Sequence, residues 1–468
     1  MRHDLVVIVP GIMGTSLLHE GRDVWNLSPE ALAGLLRPGK LRRRLMLPEG
    51  IQDNDPEGES ALTLGDMIEV PRVLPGLVSH LGYRDLLTGL GIQPSERLAV
   101  FRYDWRLSNR NSAEKLKVFV ERRLALWQER IDRLQHPDAE EPKVVFLCRS
   151  MGGLVVKYYL ECLGGRETTR TVATLGTPHQ GSAKAIRFLT GRFVPGTPRW
   201  IREWLAEVCG TFPSLGQLLP RYRAVLTDSS RPRPLNATGI ADKLSLPTAT
   251  VEDMFRFHEQ IENNRIRNDQ AEKPGYDLVP LGGHGLPTVH GVSVVGDRIR
   301  FLSSFDETGG WQGDGDSTVP TISATPAELE STAYTHWFPF RHATLANEAP
   351  VLDALRKICQ SVEVKKYLAT DVEFAVDLPD FAVAGEPMEI TAPDADPTLD
   401  ISARLLSQDG HQMLADVPLL PDGQGGLRCE LRAPAGLWTL DVRSRKQGVG
   451  HRDAVLVTSA DASAPLSE

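Results

Sequence analysis

The segment Val144-Val145-Phe146-Leu147-Cys148-Arg149-Ser150-Met151-Gly152-Gly153-Leu154 constrains the fold of this chain more than any other. A short apolar, β-branched run stops abruptly at a serine, and the helical pattern Gly152 to Leu163, rich in Leu, Val and Tyr, begins two residues later. A strand turned so tightly into a helix strains the residue at the turn and lifts its side chain above the sheet, provided that its neighbours two before and two after are small. Gly152 meets that condition, whereas Cys148 stands where a glycine is more usual. Ser150 is therefore a candidate nucleophile rather than one more turn serine.

The same strand-then-helix rhythm runs through the first 175 residues. Leu5 to Val9, Leu98 to Tyr103, Val144 to Leu147 and Thr171 to Leu175 are apolar and abrupt, as strands buried on both faces are. From Gly176 to Pro287 the pattern changes to proline-interrupted helices such as Arg199 to Val208 and Thr250 to Ile261, with no clear strand, which predicts an inserted cap over about 183–287. Thr288 to Val295 resumes the strand pattern, a Gly/Asp loop follows at Gly313 to Thr318, and a last helix is expected over Leu345 to Ile358. A catalytic domain of α/β class with a mostly parallel sheet thus spans 1–361. Beyond it, Val372 to Val376, Met388 to Thr391, Ile401 to Leu406, Leu427 to Leu431, Leu437 to Val442 and Ala454 to Val457 alternate between turn clusters, the pattern of an all-β, immunoglobulin-like sandwich over 362–458. The small, polar stretch 459–468 reads as a disordered tail.

A serine hydroxyl is a poor nucleophile at neutral pH and needs a base, itself oriented by an acid. In this fold class the partners follow in the order Ser, Asp, His. Asp316, in Gly313-Asp314-Gly315-Asp316-Ser317-Thr318-Val319-Pro320, is the preferred acid and Asp314 the alternative, turn formation being the plain role for either. His342 precedes the final helix and is the preferred base. His336, six residues away, and His179, in Gly176-Thr177-Pro178-His179-Gln180-Gly181-Ser182, compete with it, His179 reading better as a residue that shapes the pocket. An oxyanion needs two backbone donors, each worth about 3 kcal/mol in acyl transfer. The amides of Met151, at the start of its helix, and of Ile12, in the loop Pro10-Gly11-Ile12-Met13-Gly14-Thr15-Ser16, are available, and Gly11 lets that loop approach a ligand.

Val9 to Leu17, Tyr103-Asp104-Trp105-Arg106, Ser150-Met151-Gly152-Gly153, Leu175 to Ser182 and Gly313 to Pro320, in this order, resemble the lecithin:cholesterol acyltransferase family of lipases, over roughly residues 5 to 358. The resemblance implies an α/β-hydrolase fold, a lid over the site and phospholipid or acylglycerol substrates. Cys148-Arg149 departs from the Gly-His or Ala-His usual before the serine, and the sandwich lies outside the family's core.

Composition narrows the rest. A net charge of -9 argues against nucleic acid as the main partner, and no apolar run is long enough to span a bilayer. Leu5 to Val9 is too short for a signal-peptide core, and five scattered cysteines fit reduced thiols, so a cytoplasmic protein is expected. No Cys/His spacing suggests zinc, and no cofactor is expected. Arg37, Lys40, Arg42, Arg43 and Arg44, interleaved with Leu35, Leu36, Leu41, Leu45 and Met46, read either as a solvated helix face or as a peripheral contact with an anionic membrane surface. Trp200 and Trp204 in the cap read either as core or as lining for an acyl chain. Two functions compete: a serine-dependent acyl-ester hydrolase or O-acyltransferase, and a catalytically inert scaffold that meets a protein partner through its sandwich. The departure at Cys148-Arg149 is the one feature that favours the second.

Overall fold

The computed structural model describes residues 3–25, 38–68, 84–92, 97–133, 140–192, 199–227, 231–296, 298–303, 314–329, 335–360, 374–379, 381–393, 395–407, 412–423, 425–446 and 450–458. The expected tail at 459–468 lies outside these residues, as does part of the basic run, Leu35 to Arg37.

A six-stranded parallel sheet organises the N-terminal part. Across it the strands run His336–Phe338, Asp277–Gly283, Thr169–Leu175, Val144–Arg149, Leu5–Val9 and Leu98–Val100. Parallel strands buried on both faces need apolar residues at every position, and Leu5–Val9 is buried throughout. Its residues alternate between two cores. Leu5, Val7 and Val9 join Phe146 and Cys148 against the helices Asn109–Arg133, Gly152–Cys162 and Thr248–Gln270. Val6 and Ile8 join Val145, Leu147 and Leu175 against Arg84–Gly89 and Ala349–Cys359. A mostly parallel sheet with helices on both faces, and a serine at the carboxyl end of a central strand, is the α/β-hydrolase architecture.

Four elements differ from the sequence expectation. Asp277–Gly283, inside the stretch read as strandless cap, is a full strand of the main sheet. Pro280 lies in its middle and Gly282-Gly283 at its end, which erases the β-branched signal. The strand expected over Thr288 to Val295 is Gly291–Val295, and it leaves the main sheet to pair with Arg298–Leu302 and Val225–Leu226. The helix Thr248–Gln270, expected as cap, packs on Gly152–Cys162, where Phe257 stacks on Tyr158 at 5.7 Å and Asn268 Nδ2 donates to the Glu161 carbonyl at 3.0 Å. The last helix begins one turn later than expected, at Ala349, after the short 3-10 turn Leu345–Asn347, because Pro350 suits only a first helical turn.

The C-terminal residues form two facing sheets. Phe381–Val383, Gly450–Thr458, Gly436–Ser444, Ile401–Leu406 and Met413–Pro418 make the larger, and Met388–Ala392, Leu427–Leu431 and Leu420–Pro421 the smaller. Pairing is antiparallel except for Phe381–Val383, which runs parallel to Gly450–Thr458. Ile390, Ala403, Leu405, Leu440, Val442 and Val455 fill the space between them. Of the expected strand Val372 to Val376, the described part, 374–376, is not in a strand.

Candidate active site

Ser150 follows Val144–Arg149 directly and has φ +49°, the left-handed region that a non-glycine residue occupies only under constraint. The constraint is visible on every side. Its amide donates to the Leu175 carbonyl at 2.9 Å, and its carbonyl accepts from Thr177 Oγ1 at 2.9 Å and from the Gly153 amide at 3.1 Å. The demand for small neighbours falls on the helix side alone. A Cβ at Gly152 would come within 2.5 Å of the Val9 carbonyl oxygen. Cys148 instead turns its side chain into the large core, fully buried, where desolvation pushes its thiol well above the ordinary value and keeps it from acting as a thiolate.

His342 Nε2 lies 3.0 Å from Ser150 Oγ, and His342 Nδ1 lies 2.7 Å from Asp316 Oδ2. A carboxylate only accepts, so Nδ1 carries the proton and Nε2 is left to accept from the serine hydroxyl. Asp316 is fully buried, and its Oδ1 accepts from the amides of Val319 at 2.6 Å and Thr318 at 3.0 Å. The amide of His342 donates to the Asp316 carbonyl at 2.8 Å, so acid and base are joined by backbone as well as side chain. Asp314 does not share this position. Its Oδ1 accepts from the Gly285 amide and holds the short ladder between Asp314–Gly315 and Leu286–Pro287.

Arg149, read from the sequence as a departure, donates through Nη2 to the carbonyls of His342 at 3.1 Å and Ala343 at 2.9 Å. The residue before the serine thereby ties the turn to the histidine loop. Sequence gave no sign of this, because both acceptors are backbone atoms nearly two hundred residues away.

Met151 follows Ser150 directly in the chain, and the loop that carries Ile12 approaches the serine through Gly11. Gly11 packs so closely that a Cβ there would sit 2.9 Å from Ser150 Cβ. Among the described residues, neither the Ile12 nor the Met151 amide donates to a backbone oxygen. The Tyr-Asp-Trp-Arg segment pins this loop. Tyr103 Oη donates to the Pro10 carbonyl at 2.8 Å and Trp105 Nε1 to that of Thr15 at 3.0 Å. Arg106 is itself fixed by Asp104 and by the carbonyls of Leu45 at 3.0 Å, Arg44 at 3.1 Å and Ser60 at 2.9 Å.

His179 does not meet Ser150's base position. Its amide donates to the Ser323 carbonyl at 2.8 Å, its Nε2 lies 3.3 Å from Thr174 Oγ1, and burial holds its pKa down to about 3. With Ser182 Oγ, which donates to the Thr318 carbonyl at 2.6 Å, it stitches the 176–182 loop to the loop that carries Asp316. His336 lies in the strand at the sheet edge, half-buried. Trp204 packs on the large core, its Nε1 buried without a partner among the described residues. Trp200 lies in the first turn of the helix Arg199–Cys209 that also carries Trp204, and its side chain lies outside the described part. Of the basic run, Arg42 pairs with Glu207 and Leu45 is buried, so part of that surface is occupied by the protein itself. Among the described residues no His, Cys, Asp and Glu cluster could hold a metal, and no helix is long and apolar enough to cross a membrane.

Fold and site together define an α/β-hydrolase with a hydrogen-bonded serine, histidine and aspartate at the carboxyl edge of its sheet. Residues 82–273 match the lecithin:cholesterol acyltransferase family model, which bears out the family resemblance over the part of the chain that holds Tyr103 to Arg106, Ser150 to Gly153 and Leu175 to Ser182. No curated protein sequence matches the chain significantly. Among solved structures, the Tle4-Tli4 complex is similar over 79% of this chain and 100% of its own, at 17% identity and TM-score 0.49. The lipase BlEst2 of Bacillus licheniformis, in propeptide form, is similar over 96% and 73%, at 15% identity and TM-score 0.29. Phospholipase PlaB of Legionella pneumophila is similar over 99% and 97%, at 11% identity and TM-score 0.30.

Proposed function

We propose that this protein is a serine-dependent acyl-ester hydrolase acting on lipid esters through a covalent acyl-enzyme. The continuous chain from Ser150 Oγ through His342 to Asp316 carries the reading. Ser150 Oγ attacks the ester carbonyl carbon as its proton passes to His342 Nε2, and Asp316 stabilises the imidazolium. The negative charge that develops on the carbonyl oxygen is met by the amides of Ile12 and Met151. Collapse breaks the bond to the leaving alkoxide, which takes the proton back from His342. Water, activated by the same histidine, then releases the acid and restores the serine hydroxyl. An alcohol in place of water turns the same cycle into acyl transfer, the outcome depending on how well the site excludes water from the acyl-enzyme.

The family match over 82–273 supports a lipid substrate. The inert-scaffold reading rested on Cys148-Arg149. With Cys148 in the core and Arg149 bonded to the histidine loop, no observation now favours it. The five cysteines are free, which supports the cytoplasm as the working compartment.

The test is labelling by a fluorophosphonate probe and turnover of p-nitrophenyl esters of short and long acyl chains, in wild type and Ser150→Ala. Labelling and turnover confined to wild type are expected, with preference for long chains. A folded wild type that neither labels nor turns over, in water or in mixed micelles, sinks the reading.

A further inference from the structure

The loop that carries His342 is held from two directions, and one of them is the sandwich. Arg341, immediately before His342, forms an ion pair with Asp453 on the strand Gly450–Thr458 of the larger sandwich sheet. The two side chains are 5% and 2% exposed, so water neither screens the pair nor substitutes for it. Asp453 Oδ1 also accepts from the Ala454 amide at 2.7 Å, which fixes the carboxylate on its strand.

Two residues before Asp453, on the same face of that strand, His451 packs edge-on against Phe340, the residue before Arg341, at 5.3 Å between ring centroids. His451 is anchored in turn. Its Nε2 lies 2.7 Å from the Phe374 carbonyl oxygen, and its ring meets Phe374 at 5.2 Å. Both residues that lead into His342 are therefore seated on the sandwich, while Arg149 holds the carbonyls of His342 and Ala343 from the catalytic side.

We propose that the sandwich is a working part of the active site, in which Asp453, through Arg341, and His451, through Phe340, are positioning residues that hold His342 at hydrogen-bond distance from both Ser150 and Asp316. The sandwich then acts first on the chemistry and not as a detachable docking module. The proposal rests on the serine-hydrolase reading of the site. It goes beyond that reading by assigning catalytic consequence to residues more than a hundred positions from the histidine.

Asp453→Asn in the full chain keeps size and an acceptor oxygen but removes the charge that holds Arg341. The expected result is a folded protein whose fluorophosphonate labelling and kcat fall by about 10- to 100-fold with KM nearly unchanged, since a small misplacement of the base costs that much. Leu405→Ala, a truncation in the sandwich core on a strand two removed from Gly450–Thr458, is the control. It lowers Tm at least as much yet labels at the wild-type rate.

The far-downfield proton shared by His342 Nδ1 and Asp316, seen by NMR, reads the same position without turnover. It is expected to be sharp in wild type and in Leu405→Ala, and lost or broadened in Asp453→Asn. If Asp453→Asn does not fold, Arg341→Lys takes its place with the same expectations. Wild-type labelling and an unchanged downfield proton in the folded variant overturn the proposal, and so does equal slowing by Leu405→Ala. A wild type that labels nothing refutes the hydrolase reading, and the downfield proton still decides whether the sandwich positions His342.

Discussion

Arg149 Nη2 donates to the backbone carbonyls of His342 and its neighbour Ala343, so the serine turn and the histidine loop are one hydrogen-bonded unit. Arg149 is the residue immediately before the nucleophile. Here it faces inward, 5% exposed, and the geometry of Ser150 and His342 depends on it.

Arg149→Met leaves those two carbonyls without their charged donor. Stability is expected to fall by about 1.5–3 kcal/mol, the worth of a buried hydrogen bond to a charged group. Urea denaturation reads the loss, and ester turnover is expected to fall more than the stability change explains. A variant as stable and as active as wild type would contradict the assignment.

Asp316 and Asp314 separate cleanly by substitution. Asp316→Asn places an amide where a carboxylate held the Nδ1 proton, favours the wrong tautomer of His342, and is expected to lower kcat by roughly 10⁴-fold with little change in KM. Asp314→Asn keeps an oxygen for the Gly285 amide and is expected to cost less than about tenfold. Comparable losses in the two variants would refute the assignment of the acid.

Gly176 stands where the strand Thr169–Leu175 passes beneath the histidine and aspartate, with φ +57°. A Cβ there would lie 2.9 Å from His342 Nδ1 and 3.0 Å from Asp316 Oδ2. Gly176→Ala is expected to cost about 1–2 kcal/mol for the left-handed backbone and to lower kcat by about 100-fold by prising the pair apart. Thermal unfolding and ester turnover check both, and full activity in Gly176→Ala would show that the pair tolerates movement.

Stability is expected to fall as the solution is acidified from neutral pH. Burial holds His179 and His258 down to about 3 and His451 to about 4, against 6.5 for an unperturbed histidine. Below 6.5 the unfolded chain takes up protons that the native one refuses. The stabilisation is therefore complete above 6.5 and is lost as pH falls toward 4, by about 1.4 kcal/mol per pH unit for each histidine. Urea midpoints across this range give the slope, and His451→Gln is expected to make it shallower by about one proton. A midpoint that stays flat from neutral pH down to 4 would show that these histidines are not held neutral.

Much of the architecture is legible in the sequence alone. Leu5–Val9 and Val144–Arg149 read as buried parallel strands because burial on both faces demands unbroken apolar residues, a local signal. The strand-turn-helix around Ser150 was readable for the same reason, since its strain and its need for Gly152 are settled within a few residues of chain. The strand Asp277–Gly283 was not. Pro280 and two glycines hide it, and its place between Thr169–Leu175 and His336–Phe338 comes from the sheet around it rather than from its own preference.

The sequence by itself determined the α/β class, the serine turn, the antiparallel C-terminal sheets and the order in which serine, aspartate and histidine occur. Only the tertiary structure decided that His342 meets Asp316 and not Asp314, that Cys148 serves the core, that Arg149 grips the histidine loop, and that Asp453 reaches Arg341 across the chain. Periodicity and turn chemistry act over a few residues and leave their mark in the sequence. A hydrogen bond to a backbone carbonyl or a buried ion pair joins positions a hundred or more apart, and its partners are fixed only when the chain has closed around them.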